Sequence, residues 1–354
     1  MTLNELLQQE QSGFEQAFGP RLLPGHYRAM NCMRQCHTPE CGQWHYQCNE
    51  CDETKTLNAG CGHRHCPSCQ HSANESWLEK QKGRCLPVTD FMVTFTLPEA
   101  LRTWAYRHQK AAFNWLFECG MQTLKDFFER DRHRGECPGM LAVLHTHSRK
   151  LNYHPHVHIL VPGAWLDKGG HLTAAKKSTY LFKTDNLAKV FRGKFLTDIH
   201  QQYDDVPAKI PKQWVADCRP VGDGVPAFTY LAKYLYRGVL SNKQLLHVDG
   251  EQVTWRYTDN QAQTHVISEH VHSFLWRVMQ HVLPKGLRRV RSCGVLHGNA
   301  KKRLARLMSK MGIKPPPAPK QPDTKTTVLC PCCHSPMRLT GMTLPNKALP
   351  GSPT

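Results

Sequence analysis

His154-Pro155-His156-Val157-His158-Ile159-Leu160-Val161 opens with an imidazole at every second position. Side chains alternate faces along a strand. His154, His156 and His158 therefore share one side, and Val157, Ile159 and Val161 the other. The aliphatic side predicts a core. The imidazole side predicts a divalent-metal site, because neutral imidazole is a common ligand; a histidine-rich exposed strand face is the plainer alternative. Pro162-Gly163 ends the strand. Upstream, Met140 to His147 alternates as a second strand, with Val143, His145 and His147 on one face. The short loop Ser148 to Asn152 joins the two as an antiparallel pair. His145 or His147 could thus lie beside His156 and complete the ligand set.

Phe91-Met92-Val93-Thr94-Phe95-Thr96-Leu97, closed by Pro98, reads as a further strand. Residues 99–130 carry a helical aromatic stripe that includes Trp104, Phe113, Trp115 and Phe117, expected as core. Another helix lies in Pro226 to Gly238, bracketed by proline and glycine. At about 100° per residue, its Phe228, Leu231, Ala232, Leu235 and Val239 face a core. Tyr230, Lys233, Tyr234 and Arg237 share the opposite stripe. Two packed surface tyrosines would explain that spacing on its own. Beside a metal strand the pair gains meaning. A phenol with a pKa of about 10 is a poor nucleophile at neutral pH. A neighbouring Lys or Arg lowers that pKa, and a metal polarises the phosphate under attack. Tyr230, Tyr234 and Lys233 are candidate catalytic residues of a DNA-nicking site, and Arg237 is a candidate DNA contact.

The 354-residue chain has room for two or three domains, and its formal net charge of +18 points to a nucleic-acid partner. No apolar run approaches a transmembrane length, and the N-terminus lacks a signal-peptide pattern. A cytoplasmic location with no membrane partner is the expectation. No Walker motif is present, so no nucleotide cofactor is expected. In that compartment the 16 cysteines argue for metal rather than disulfides. Eight fall between Cys32 and Cys69. Cys48/Cys51 and Cys66/Cys69, two Cys-x-x-Cys pairs with a 14-residue gap, have the spacing of a four-thiolate zinc site. Cys36, Cys61 and His65, with Cys41 or His45 as the fourth, are candidates for a second ion. One or two structural zinc ions are expected. Arg64 and its basic neighbours fit contact with DNA.

The chain then divides into a zinc-binding module at 1–85, a catalytic domain at 86–282 and a basic region at 283–354. Residues 285–320 hold eleven Lys or Arg and no Asp or Glu. That is an electrostatic footprint for a phosphate backbone. Arg288, Arg289, Arg291, Lys301, Lys302 and Arg303 are its candidate DNA contacts. Cys330-Pro331-Cys332-Cys333-His334 could be half of a zinc knuckle, but no second pair follows it; a complete site would need ligands from elsewhere, and the segment carries no assignment from sequence.

These motifs resemble the HUH endonuclease superfamily, in which two histidines flank a bulky apolar residue, here His156-Val157-His158. More narrowly, the chain resembles the two-tyrosine rolling-circle transposases of bacterial insertion sequences, the insertion sequence ninety-one group. The resemblance runs through Gly62-His63-Arg64-His65-Cys66-Pro67-Ser68-Cys69-Gln70, Phe95-Thr96-Leu97-Pro98, Leu151 to His158, Tyr230-Leu231-Ala232-Lys233-Tyr234 and His281 to Arg291. It implies an α+β fold: an HUH-type antiparallel sheet flanked by helices, after a small zinc-binding module and before a basic helical tail. It also implies Mg2+ or Mn2+ on the histidine pair. The implied substrate is single-stranded DNA at the ends of a mobile element, with Tyr230 and Tyr234 as nucleophiles that form a 5′-phosphotyrosine. A relaxase or a replication initiator shares this chemistry. A non-catalytic zinc-finger DNA binder would explain the charge and cysteines but not the histidine strand. A histidine-triad hydrolase would explain the histidines but neither the tyrosine pair nor the cysteines.

Overall fold

The structure is a computed structural model that describes residues 1–69, 71–177, 179–235, 239–259, 261–313 and 327–345, with the side chains of 71–76 and 233–235 outside that description. At its centre is a five-stranded antiparallel sheet. Its order is Val290–Gly294, Gly139–His147, Tyr153–Pro162, Asp90–Thr96 and Ala216–Pro220. The histidine strand thus holds the middle position. Its neighbours place His145 opposite His156 and Thr94 opposite His158.

The period-two pattern decides what each face does. Val157, Ile159 and Val161 are buried on one face with Phe91, Val93, Phe95, Ala142 and Leu144. The helices Gln109–Glu129 and Thr184–Gln202 contribute Phe113, Leu116, Phe117, Phe191 and Phe195 to the same core. Full burial of each large apolar side chain is worth roughly 1.5–3 kcal/mol. The long helix comes closest at Gly120, where an added methyl would sit 3.1 Å from both Ile159 and Phe95. Glycine in a helix costs about 1 kcal/mol against alanine; here that cost permits close approach to the histidine strand.

The opposite face is divided. One end carries His145, His156 and His158. The other carries Met92, Leu141, Val143 and Leu160, which are buried. Phe228 and Leu231 of the helix Val225–Leu235 belong to that second cluster, as do Leu304, Leu307 and Met308 of the helix Lys301–Lys310. The basic helix therefore packs by its apolar stripe and turns its cations outward.

Elements from all three expected segments share cores and sheets. The first helix, Leu3–Phe18, opens with a Thr2–Glu5 capping box. Its Leu3, Leu6, Leu7 and Phe14 share a core with Trp255, Phe274, Leu275 and Met279 from the chain between 239 and 282. Beyond 283, Val290–Gly294 is the edge strand of the central sheet, against Gly139–His147. Met337–Thr343 completes a small three-stranded sheet with Gln43–Cys48 and Thr54–Asn58. Among the described residues, no helix is long and apolar enough to cross a membrane.

Candidate active site

Three histidines converge on the sheet. Ligand nitrogens of His145, His156 and His158 lie within 4.8 Å of one another, and all three side chains are buried. Ring centroids are 4.5 Å apart for His145 and His158, 5.1 Å for His145 and His156, and 4.9 Å for His156 and His158. Burial holds these rings neutral. The pKa of His158 is lowered to about 4, chiefly by burial and further by Arg219. His145 and His156 are pushed well below the ordinary value, by burial first and by the neighbouring rings second. A neutral imidazole offers the lone pair that metal ligation requires.

Hydrogen bonds orient two of the rings. Nδ1 of His156 lies 2.6 Å from the carbonyl oxygen of His154. A carbonyl only accepts, so Nδ1 carries the hydrogen and Nε2 keeps the lone pair. Nδ1 of His158 lies 2.8 Å from the Thr94 hydroxyl. Three imidazole nitrogens fit a divalent ion, and imidazole suits transition-metal ions better than oxygen-preferring Mg2+.

His154, expected from the sequence as a ligand, is not in this cluster. Arg102 Nη2 donates to its Nδ1 at 3.1 Å. His145 takes the third place because register sets it directly opposite His156. His147, the other open candidate, packs on His281 with ring centroids 5.4 Å apart.

The tyrosine helix docks beside the cluster. With Phe228 and Leu231 buried, Tyr230 turns its ring towards the histidines, with centroids 6.0 Å from His158 and 6.3 Å from His145. Tyr234 lies one turn further along the same helix. The side chains of Lys233 and Tyr234, and the whole of Arg237, fall outside the described residues. Gly224, just before the helix, has a φ of +80°, and a Cβ there would collide with the carboxylate of Asp90. Both features call for glycine.

Asp90 itself is buried, and its pKa is pushed up to about 7 by burial and by the charge of Asp223. In the unfolded chain an aspartate ionises at about pH 4. The unfolded state thus releases this proton first, and stability falls as pH rises from there to about 7. Asp90→Asn should raise the melting temperature at pH 8 by the equivalent of about 3–4 kcal/mol at most, with little effect at pH 4. Thermal unfolding of both proteins across that range checks this; identical pH profiles would refute it.

Among the described residues, eight of the 16 cysteines form two clusters, and they divide differently from the sequence reading. Cys36, Cys61, Cys66 and Cys69 make one; Cys48, Cys51, Cys330 and Cys333 make the other. The two Cys-x-x-Cys pairs expected to share one ion go to separate sites. Sulfur–sulfur distances in the first are 3.2 Å for Cys36 and Cys69, 3.5 Å for Cys36 and Cys66, and 3.8 Å for Cys61 and Cys69. Zn–S bonds of about 2.3 Å in a tetrahedron place sulfurs about 3.8 Å apart, so the first donor set fits zinc. The Asn4 amide and the Cys61 backbone N–H both point at its sulfurs.

Neither expected histidine joins a thiolate cluster. His65 is buried, and its Nε2 accepts from the Leu283 N–H at 3.1 Å. His45 sits between the hydroxyls of Thr56 and Thr343. The Cys41 thiol donates to the Gln35 carbonyl.

The basic candidates also divide. Arg288, Lys301, Lys302 and Arg303 are exposed. Arg303 pairs with Glu136 at 3.0 Å. Arg291 is half-buried: it donates to Asn114, pairs with Glu118 at 3.4 Å and lies over the Phe117 ring. Arg289 turns inward, where its charge further depresses His145, His147 and His281. Arg64, read as a DNA contact, donates instead to the carbonyls of Leu283, Pro284 and Leu287. It fixes the loop from which Arg288 and Arg289 emerge. Thr94 escaped the sequence reading, although a polar residue within an apolar strand marked it. Asp90 and Arg102 carried no local signal.

Two families of known proteins match separate parts of the chain. Residues 6–97 match a family described as "Transposase zinc-binding domain", and residues 139–303 match one described as "Putative transposase". The chain is 29% identical over 351 residues to "Putative transposase y4qJ" of Sinorhizobium fredii, covering 88% of each. It is 27% identical over 287 residues to the transposase for insertion sequence element IS801 of Pseudomonas savastanoi pv. phaseolicola, covering 75% of this chain and 68% of that protein. Among solved structures it is similar to the conjugative relaxase TrwC in complex with oriT DNA, at 11% identity and a TM-score of 0.26, covering 63% of this chain and 72% of that one. A cysteine module joined to a helix-flanked antiparallel sheet, with these matches, defines a transposase with a zinc-binding domain. The matches make the chain similar to the IS91-family transposases.

Proposed function

We propose that the protein nicks and rejoins single-stranded DNA at the ends of a mobile element, through a 5′-phosphotyrosine intermediate, during rolling-circle transposition. The observation that carries this reading is the Tyr230 ring lying 6.0 Å from His158 and 6.3 Å from His145, both in the three-imidazole cluster. A divalent ion held by His145, His156 and His158 would supply positive charge at a non-bridging oxygen of the scissile phosphate. Arg288, Lys301, Lys302 and Arg303 hold the DNA backbone by charge.

Tyr230 then attacks phosphorus in line. Its phenol gives up a proton as the oxygen–phosphorus bond forms, the bond to the 3′ oxygen breaks, and that oxygen leaves as a hydroxyl once protonated. The ester keeps the energy of the broken bond, so rejoining needs no nucleotide. Lys233, on the same helix, would lower the phenol pKa. Tyr234 follows at i+4, where helical Cβ atoms lie roughly 5–6 Å apart. It would take a second 5′ end while the first is still held, which suits transfer of a strand from one site to another.

Incubation with Mn2+ and single-stranded oligonucleotides carrying the element's ends tests this directly. A covalent protein–DNA band on a denaturing gel is expected. Tight binding without any covalent band would make the protein a non-catalytic DNA binder and end this reading.

A further inference from the structure

We propose that Cys48, Cys51, Cys330 and Cys333 hold a second zinc ion that fastens the C-terminal segment to the N-terminal module. The four sulfurs lie within 4.8 Å of one another. Cys48 and Cys333 are 3.4 Å apart, and Cys51 is 3.6 Å from both Cys330 and Cys333. A tetrahedral ion with Zn–S bonds of about 2.3 Å asks for sulfurs about 3.8 Å apart. A disulfide would need about 2 Å, and all four thiols are free.

The two half-sites are built alike. In each, the N–H two residues after the first cysteine points at its sulfur: Glu50 to Cys48 and Cys332 to Cys330, both at 3.4 Å. In each, the residue after the last cysteine is left-handed, Asp52 with a φ of 57° and His334 with a φ of 59°. Asp and His are among the non-glycine residues that adopt that conformation most readily, and both half-sites close with the same turn. Cys330 and Cys333 lie outside both matched family regions, which end at 97 and 303.

The surroundings explain why a metal is needed. Cys48 and Cys333 are 285 residues apart in sequence, so bringing them together carries a large loop-closure cost. Against that cost the small sheet of Gln43–Cys48, Thr54–Asn58 and Met337–Thr343 buries little. Its apolar cluster is Cys48, Cys330 and Met337, with Tyr46 and Val328 packed against them, while Leu339 and Met342 stay exposed. A three-stranded sheet without a sizeable core is not stable by itself. Zinc ligation supplies the missing free energy. The clasp is independent of the nicking reading, since its ligands are remote in sequence from the histidines and tyrosines.

The test counts zinc and probes the C-terminal segment in the full-length protein. Zinc released by thiol modification and read with a colorimetric chelator should fall from two ions per chain to one in Cys330→Ser/Cys333→Ser. Cys48→Ser/Cys51→Ser should show the same fall, as both pairs serve one site. In both variants residues 327–345 should become sensitive to limited proteolysis while the central sheet stays resistant. If Cys330→Ser/Cys333→Ser keeps two ions, or if wild-type protein binds only one and its C-terminal segment is cut equally fast, the clasp is refuted.

Discussion

Tyr230→Phe with Tyr234→Phe should abolish covalent capture of DNA, reducing it by at least about 1,000-fold, with DNA affinity changed by less than a few-fold. The change removes one hydroxyl from each ring and keeps the apolar body. The packing of the half-buried Tyr230 ring against the cluster that holds Phe228 and Leu231 should survive it. Single variants separate the two roles. Tyr230 has its ring beside His145 and His158, so Tyr230→Phe alone should remove most of the first nick. Tyr234→Phe should spare nicking more than rejoining. Denaturing gels score the adduct, and electrophoretic mobility at fixed salt scores binding. A double variant that still forms the adduct would take the nucleophile assignment down with it.

His145→Ala should weaken Mn2+ binding and lower nicking by about 100-fold or more, the scale of losing a positioned charge stabiliser. His158→Ala should match it. His154→Ala is the informative contrast. Its ring receives a hydrogen bond from Arg102 and lies outside the cluster, so Mn2+ affinity should move only a few-fold. Titration calorimetry with Mn2+ on each variant, beside the nicking assay, decides between the ligand set read from sequence spacing and the one set by register. Equal losses in His145→Ala and His154→Ala would count against the three-imidazole site described above. The fold should tolerate all three changes, because the larger apolar core lies on the other face of the strand and the second cluster sits at the far end of the histidine face.

Much of the candidate site was legible because its signals are local. Alternation of His154, His156 and His158 with Val157, Ile159 and Val161 needs only the two-residue period of a strand. Placing Tyr230 and Tyr234 on one stripe, opposite Phe228 and Leu231, needs only the helical period. Three thiolate pairs, Cys48/Cys51, Cys66/Cys69 and Cys330/Cys333, show themselves as a Cys-x-x-Cys spacing, whereas Cys36 and Cys61 do not. Assembly was not legible. Cys66/Cys69 and Cys48/Cys51 have the spacing of one site, yet each pair met cysteines elsewhere. Arg64, Arg289 and Arg291 belong to basic stretches that suggested surface contact. Two of them proved to bond protein groups, and Arg289 turned inward. A guanidinium reads the same in sequence whether it faces a phosphate or a backbone carbonyl.

By itself, the sequence determined a histidine-bearing strand, a tyrosine-bearing helix, a basic amphipathic helix and three cysteine-rich segments, because each is written in residues a few positions apart. Only the tertiary structure decided that His145 rather than His154 joins His156 and His158, that Tyr230 lies against them, and that cysteines 285 residues apart share one cluster. Those choices are set by strand register and by how distant segments pack, and neither is encoded in local spacing.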